Sequence, residues 1–127
     1  MDALAVSVGT AHGVYTVKKP KIAYEYLDAM NRLFDVPLVL HGGSGVPSEM
    51  VTKAVTMPGG GVSKVNIATD LELAALGVLG RTGHMTDAEM DSFESDALDD
   101  AEATVQALVE DRIRNYILSS GKADLYR

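Results

Sequence analysis

Three short segments with the character of strands alternate with segments of helical periodicity over the first 80 residues. They cover residues 4–8, 37–40 and 62–67, and the first two are apolar runs. Short runs of this kind are typical of strands that are buried on both faces. Their alternation with helices predicts an α/β fold with a parallel sheet and right-handed crossovers. The carboxyl ends of all three strands then meet at one edge, where α/β proteins place their chemistry.

The intervening segments carry apolar residues at the spacing of amphipathic helices. We predict one helix over 21–34, a second one shortly after Gly45 and a third one over 71–79. The element order is therefore β-α-β-α-β-α. This order indicates three consecutive βα units in residues 1–80.

A helical extension follows these units. After a linker at 81–85, the stretch Thr86-Asp87-Ala88-Glu89 has the spacing of a capping box, and a long amphipathic helical region with at most one break reaches Ile117. The ten acidic residues between Asp87 and Asp111 are predicted to form a solvated face. We interpret 1–127 as one domain, in which 81–127 is the linker and the C-terminal helical extension.

The composition excludes several classes of function. With 11 basic and 18 acidic residues the net charge is −7, which argues against nucleic acid or an anionic membrane as a partner. Any anion must therefore be held locally, by main-chain donors or a metal. The absence of cysteine excludes disulfides and thiolate metal sites. No basic segment precedes the first apolar run and no run reaches membrane-spanning length, so we expect a cytoplasmic protein.

Two histidines follow two of the predicted strands. His12 lies among glycines after the first strand, and His41 directly follows the second strand. Neighbouring parallel strands run about 4.8 Å apart, so the two imidazoles can converge on one zinc ion at about 2.0–2.1 Å from each nitrogen. A catalytic zinc site normally takes three protein ligands, and no third one is well placed here. The alternative is that each histidine is satisfied within its own loop. His84, in the linker, is interpreted as a surface residue.

A glycine-rich loop follows the second strand, with the sequence His41-Gly42-Gly43-Ser44-Gly45. Glycines allow a ligand to approach main-chain N–H groups, and a helix that begins just beyond adds partial positive charge. The stretch Asn66-Ile67-Ala68-Thr69 follows the third strand and begins another helix. The pattern predicts a phosphate site, like those that the last two loops build in (β/α)8 barrels. The alternatives are a flexible turn for the glycines and a simple helix cap for Asn66 and Thr69.

Three motifs together resemble a known family. They are Ser7-Val8-Gly9-Thr10-Ala11-His12-Gly13, Val39-Leu40-His41-Gly42-Gly43-Ser44-Gly45 and Lys64-Val65-Asn66-Ile67-Ala68-Thr69-Asp70. In this order they look like the C-terminal half of class II, zinc-dependent ketose-bisphosphate aldolases, the family of fructose- and tagatose-bisphosphate aldolases. The resemblance is dense over residues 2–75. It implies the C-terminal part of a (β/α)8 TIM barrel, namely its last three βα units with the C-terminal helices.

The resemblance also implies a site and a reaction. His12 and His41 would be two ligands of a Zn²⁺ cofactor, and a monovalent cation would lie near the phosphate loops. The residues that would hold the phosphate of the ketose substrate are Gly13, Gly42, Gly43, Ser44, Asn66, Ala68 and Thr69. A segment containing Tyr15, Lys18 and Lys19 would be mobile and close over the site. The lyase reaction would be reversible cleavage of a ketose 1,6-bisphosphate to dihydroxyacetone phosphate and an aldehyde phosphate in carbohydrate metabolism such as glycolysis, carried out by a homo-oligomer.

One family motif is missing from the chain. The family carries a catalytic aspartate followed directly by a third zinc-binding histidine, and no Asp-His pair occurs here. A full barrel needs about 250 residues and eight strands. We therefore expect either a piece of a longer enzyme, with no catalytic aspartate of its own and inactive alone, or a truncated, non-catalytic phosphate- or zinc-binding module or oligomer component.

Overall fold

A computed structural model describes residues 1–13 and 19–126 of the chain. Its centre is a parallel sheet of three strands in the order β1 (Leu4–Val6), β2 (Leu38–Leu40) and β3 (Val62–Val65). The predicted α/β alternation with parallel pairing is confirmed. The predicted strands 4–8 and 62–67 are each two residues too long. Val8 has left the ladder but stays buried, which explains why its hydrophobicity suggested a strand.

The helices follow the strands in the expected order. They are α1 (Tyr24–Leu33), α2 (Ser48–Val55), α3 (Thr69–Val78), α4 (Asp87–Met90) and α5 (Ser95–Asp111), with a π-helical turn at Arg112–Tyr116, here called the π turn, and a 3-10 turn at Ala123–Tyr126. None of the helices in the described ranges is both long and apolar enough to cross a bilayer.

Each strand presents its residues alternately to two faces of the sheet. Leu38 and Leu40 of β2 are fully buried and pack with Val6 and Val62 in the hydrophobic core. On the opposite face Ala5, Val39 and Lys64 lie in one row, since Ala5 pairs with Val39 and Val39 with Lys64. A register shift between β2 and β3 leaves Ser63 as an extra residue, as in a β-bulge.

The core is formed by the helix-facing side of the sheet and by α1, α2 and the π turn. Leu27 of α1, Val51 and Ala54 of α2 and Tyr116 of the π turn are fully buried there. Leu27, Val51 and Ala54 lie on the buried sides of α1 and α2, as the periodicity predicts, whereas the apolar Tyr26, Leu33 and Phe34 of the first predicted helix are exposed. The π turn lies against α2, where the Thr52 hydroxyl is 3.2 Å from the carbonyl oxygens of both Asn115 and Tyr116.

The helical extension begins with the predicted capping box, which is confirmed. Thr86 Oγ1 accepts from the Glu89 N–H at 3.3 Å, and the Glu89 carboxylate accepts from the Thr86 N–H at 2.8 Å. The hydrogen bonds that the Thr86 N–H and hydroxyl donate to the Glu89 carboxylate lower the pKa of Glu89. The helical region is interrupted between α4 and α5, and α5 packs along α3. Eight of the ten acidic residues are exposed, which confirms the solvated face, whereas Glu110 and Asp111 are half-buried beside arginines.

Candidate functional site

A cavity of about 440 Å³ lies at the carboxyl ends of the three strands. It is lined by residues of the three loops that follow β1, β2 and β3, together with the end of β3 and the start of α3. The lining residues are His12, Gly13, His41, Gly42, Ser44, Val65, Asn66, Ile67, Ala68 and Thr69. The parallel topology therefore brings together two histidines and most of the predicted phosphate-binding residues.

The two histidines of the cavity stack on each other. Their ring centroids are 5.3 Å apart and their planes are inclined by 17°. His12 is exposed, whereas His41 is half-buried and fixed from two sides. Thr10 donates a hydrogen bond of 2.6 Å to the His41 carbonyl, and Asn66 Nδ2 lies 3.2 and 3.1 Å from the two ring nitrogens of His41.

The spacing of the two rings matches that of two ligands of one zinc ion, whereas their near-parallel planes would have to turn for a nitrogen of each to face that ion. Two imidazoles that bind one tetrahedral zinc at about 2.0–2.1 Å place their ring centroids about 5 Å apart, which is close to the separation seen here. Over 1–13 and 19–126, however, no group of three or more histidine, aspartate or glutamate side chains could hold a metal ion. His84 lies outside the cavity, with a side chain that is 90% exposed and paired with Glu72.

Two glycines allow the loop of residues 41–45, here called the glycine loop, to pack between its neighbours. Gly42 has a φ of +67°, and a Cβ there would collide with the Ala11 backbone. A Cβ on Gly43 would lie 2.6 Å from Cγ1 of Val65. The N–H of Gly43 donates to the Asn66 carbonyl at 3.0 Å. Gly43 thus lies behind the cavity and joins the loops after β2 and β3, whereas Gly42 lines the cavity.

Ser44 connects the glycine loop to the start of α3. Its buried Oγ accepts from the N–H groups of Ala68 and Asp70, both at 3.2 Å. These are N–H groups of the first helical turn, which lack partners inside a helix. Ala68 is the N-cap residue of α3 and no side chain of its own segment caps the helix. The alternative reading of Asn66 and Thr69 as a helix cap is therefore wrong, because the cap comes from the neighbouring loop.

Three residues behind the cavity support the glycine loop, and the sequence did not predict this role for any of them. Asp70 accepts from the Gly45 N–H at 2.9 Å and from Arg112 at 3.1 Å. The hydroxyl of Tyr116 donates to the Gly43 carbonyl. Nothing in the sequence around Arg112 identifies Asp70 as its partner, since the two residues are 42 positions apart. A buried tyrosine needs a hydrogen-bond partner, but nothing local to Tyr116 identifies that partner.

No lysine or arginine among the described residues lines the cavity. With a net charge of −7, the chain offers an anion local main-chain dipoles rather than a positive field. The N-terminus of α3, a helix of ten residues, begins at the cavity with Thr69 and favours negative charge there. Of the predicted closing segment, Lys19 is exposed, and Tyr15 and Lys18 lie outside the described residues.

The family model of class-II fructose-bisphosphate aldolases matches residues 1–122. The chain belongs to the class II fructose-bisphosphate aldolase family. This membership confirms the resemblance that the three motifs carry, and it agrees with the α/β arrangement of the strands and helices.

Solved structures of aldolases share this architecture. The YdjI aldolase from Escherichia coli K12 is 30% identical and superimposes with a TM-score of 0.77, covering 96% of this chain. A putative fructose-1,6-biphosphate aldolase from Coccidioides immitis is 27% identical with a TM-score of 0.74, covering 98% of this chain. The chain spans 42% and 41% of the lengths of these two proteins.

Proposed function

We propose that this chain forms the zinc- and phosphate-binding edge of a class II aldolase barrel. The enzyme would cleave a ketose 1,6-bisphosphate reversibly to dihydroxyacetone phosphate and an aldehyde phosphate. The observation that carries the proposal is the single cavity shared by His12, His41 and the loops after β2 and β3. In this arrangement β1, β2 and β3 are strands six, seven and eight of a TIM barrel, whose phosphate site is built from the last two loops.

The phosphate of the substrate would lie against the main chain of the two loops after β2 and β3. Five of the residues assigned to the phosphate by the resemblance and lining the cavity are glycine, serine, alanine or threonine, namely Gly13, Gly42, Ser44, Ala68 and Thr69. The helix dipole of α3 stabilises the negative charge, and the Ser44 hydroxyl links the glycine loop to that helix end. Binding energy at the phosphate, away from the bond that breaks, orients the reacting carbons.

His12 and His41 would hold the zinc ion of the enzyme. When bound, zinc supplies Lewis-acid polarisation of a carbonyl oxygen. Thr10 holds the backbone of His41, and Asn66 Nδ2 lies beside both nitrogens of its ring. Because an N–H donor there competes with zinc for the ring lone pair, the Asn66 amide would turn its oxygen toward the remaining ring N–H when zinc binds. Asn66, which the resemblance places at the phosphate, therefore also orients the histidine. The exposed ring of His12 leaves room on its open side for substrate.

The proton-transfer carboxylate and the third histidine would come from other strands of the barrel. No Asp-His pair occurs in the chain, and this favours a second candidate function, a non-catalytic module that binds phosphate or zinc. Coding sequence upstream of residue 1 that contains an Asp-His pair would decide for the enzyme. A monovalent cation near the phosphate loops and a homo-oligomeric state stay predictions.

Titration with substrate fragments tests the proposal. Dihydroxyacetone phosphate and dihydroxyacetone are each added to the chain in the presence of zinc, and binding is followed by calorimetry. We expect the phosphate ester to bind at least about tenfold more tightly, since its negative charge alone interacts with the α3 dipole at the cavity. His41→Ala should lose the zinc dependence of binding but keep the preference for phosphate. Equal binding of the two ligands would contradict the proposed phosphate site.

A further inference from the structure

The π turn contacts the glycine loop directly on one side of Ser44 and through Asp70 of α3 on the other side. On one side, the Tyr116 hydroxyl donates to the Gly43 carbonyl and lies 3.4 Å from the Val46 carbonyl. On the other side, Asp70 accepts from the Gly45 N–H through Oδ1 at 2.9 Å. The second oxygen of Asp70 accepts from Arg112 Nη2 at 3.1 Å. Both peptides that adjoin Ser44 are therefore bonded to a group that the π turn provides or holds.

Arg112 and Tyr116 pack against each other. The Arg112 guanidinium lies over the Tyr116 ring, with Cζ 4.8 Å from the ring centroid. The same guanidinium donates a hydrogen bond from Nη1 to Asp111 at 2.8 Å, so it lies between the carboxylates of Asp111 and Asp70. The Tyr116 side chain is fully buried, and the side chains of Arg112 and Asp70 are 22% and 17% exposed. Such partly buried, charge-assisted bonds are geometrically restrictive.

We propose that Arg112 and Tyr116 are positioning residues of the anion site, and that they set the orientation of the glycine-loop peptides. Neither residue lines the cavity. They act through the Gly43 carbonyl and through Asp70, which holds the Gly45 N–H. This inference rests on the proposed function, because the loop they orient is the loop assigned to the phosphate.

The position of the loop depends on these contacts because a glycine-rich backbone has many accessible conformations. Gly42 and Gly45 both have positive φ angles, of 67° and 70°. A small rotation of the Gly43 or Gly45 peptide would move Ser44, whose Oγ holds the first-turn N–H groups of α3. Loss of the Tyr116 hydroxyl or of the Arg112 charge should therefore loosen the anion site while the core of the sheet stays intact.

Binding of inorganic phosphate to the full chain, followed by ³¹P NMR, tests the positioning role. Tyr116→Phe removes one hydroxyl and keeps the buried ring, and Arg112→Gln removes the charge opposite Asp70. We expect each to weaken phosphate binding about tenfold, the effect of losing one hydrogen bond to a charged or ligand-orienting group. Arg112→Lys should recover most of the loss. The matched control is Arg114→Gln in the same turn, since Arg114 pairs with Glu110 away from the loop.

A double variant tests whether Arg112 acts through Asp70. Asp70→Asn keeps an oxygen acceptor for the Gly45 N–H but removes the charge that Arg112 contacts. If Arg112 acts through Asp70, the double variant that combines Asp70→Asn with Arg112→Gln should weaken phosphate binding no more than the stronger of the two single variants does. Additive losses would overturn the route through Asp70.

Amide hydrogen exchange separates positioning from general stability and from the proposed function. We expect the Gly45 amide to exchange about tenfold faster in Tyr116→Phe and Arg112→Gln, with no change at the Leu4 amide, which donates to Pro37 in the sheet. Equal acceleration at Gly45 and Leu4, or none at Gly45, would overturn the positioning role. If the unaltered chain fails to bind phosphate, the proposed function fails, while the exchange data still decide whether the π turn positions the loop.

Discussion

The imidazole rings of His12 and His41 lie with centroids 5.3 Å apart although the two residues follow different strands. Parallel pairing of β1 with β2 in the register of Ala5 with Val39 brings the ends of these strands side by side. The half-buried ring of His41 is fixed by Asn66, while the ring of His12 is exposed. One imidazole is thus held in place and the other is exposed to solvent.

Zinc binding should depend on both of these histidines. We expect His12→Ala and His41→Ala each to weaken zinc binding by the chain at least about tenfold, because each removes one of two ligands. His84→Ala serves as the control and should leave zinc binding unchanged, since His84 is exposed and paired with Glu72. Calorimetric titration of the three variants measures this. A loss of zinc binding confined to His84→Ala would show that His12 and His41 are not the zinc ligands.

The isolated chain of 127 residues should show no aldolase turnover. A positioned acid–base group is worth about 10²–10⁴-fold in rate, and the aspartate of the family's Asp-His pair is absent from the sequence. The measurement is cleavage of fructose 1,6-bisphosphate by the purified chain with zinc present. His41→Ala is the control, and the two proteins should give the same background rate. Turnover by the unaltered chain above that background would refute the expectation.

Gly42→Ala should destabilise the chain by about 2–4 kcal/mol, the sum of a strained positive φ and of crowding in a packed site. The φ of Gly42 is +67°, and the new Cβ would meet the Ala11 backbone rather than a flexible side chain. Urea unfolding gives the free energy of unfolding. Gly83→Ala is the matched control, because its Cβ has no neighbour among the described atoms within 4 Å, and its effect should stay within about 0.5 kcal/mol.

Acid should weaken the capping box at α4 in a predictable pH range. The Thr86 N–H and hydroxyl lower the pKa of Glu89 from its ordinary value of 4.5. Ionised Glu89 therefore stabilises the box above pH 4.5, and that contribution is lost as the pH falls through the lower, folded-state pKa. A ¹³C NMR titration of the carboxyl group measures this pKa. Thr86→Ala keeps the backbone N–H but removes the hydroxyl, so it should raise this pKa part of the way toward the ordinary value, whereas the distant Thr104→Ala should not. No change in Thr86→Ala would contradict the hydroxyl's part in the shift.

The open sheet should make the isolated chain associate. The edge strand β1 carries no charge or proline, and its Ala5 is exposed on the face opposite the helices. We expect sedimentation at low micromolar concentration to show oligomers. Ala5→Lys should shift the chain toward monomer, whereas Ala103→Lys on the exposed side of α5 should not. A dispersed, cooperatively melting monomer of the unaltered chain would show that no such association occurs.

The strands, the helices and the place of the cavity could be predicted from the sequence because they depend on local patterns. The runs before Gly9 and His41 had strand composition, and the parallel order followed from the alternation with helices. The contacts of Ser44 with α3 and of Tyr116 with Gly43 could not be predicted from the sequence. They join segments that are distant in the chain, and neither serine nor tyrosine at these positions differs from an ordinary loop or core residue. A helix capped by a neighbouring loop has no signature in its own sequence.

The bond between Tyr116 and the Gly43 carbonyl joins residues 73 positions apart. Closing a ring of that size carries an entropic cost that grows as about (3/2)RT ln n, so the bond forms after the local turns and after the helices that bracket it. During synthesis, the glycine loop leaves the ribosome well before Tyr116 does. We therefore expect the glycine loop to reach its final shape late, when the π turn docks beside α2.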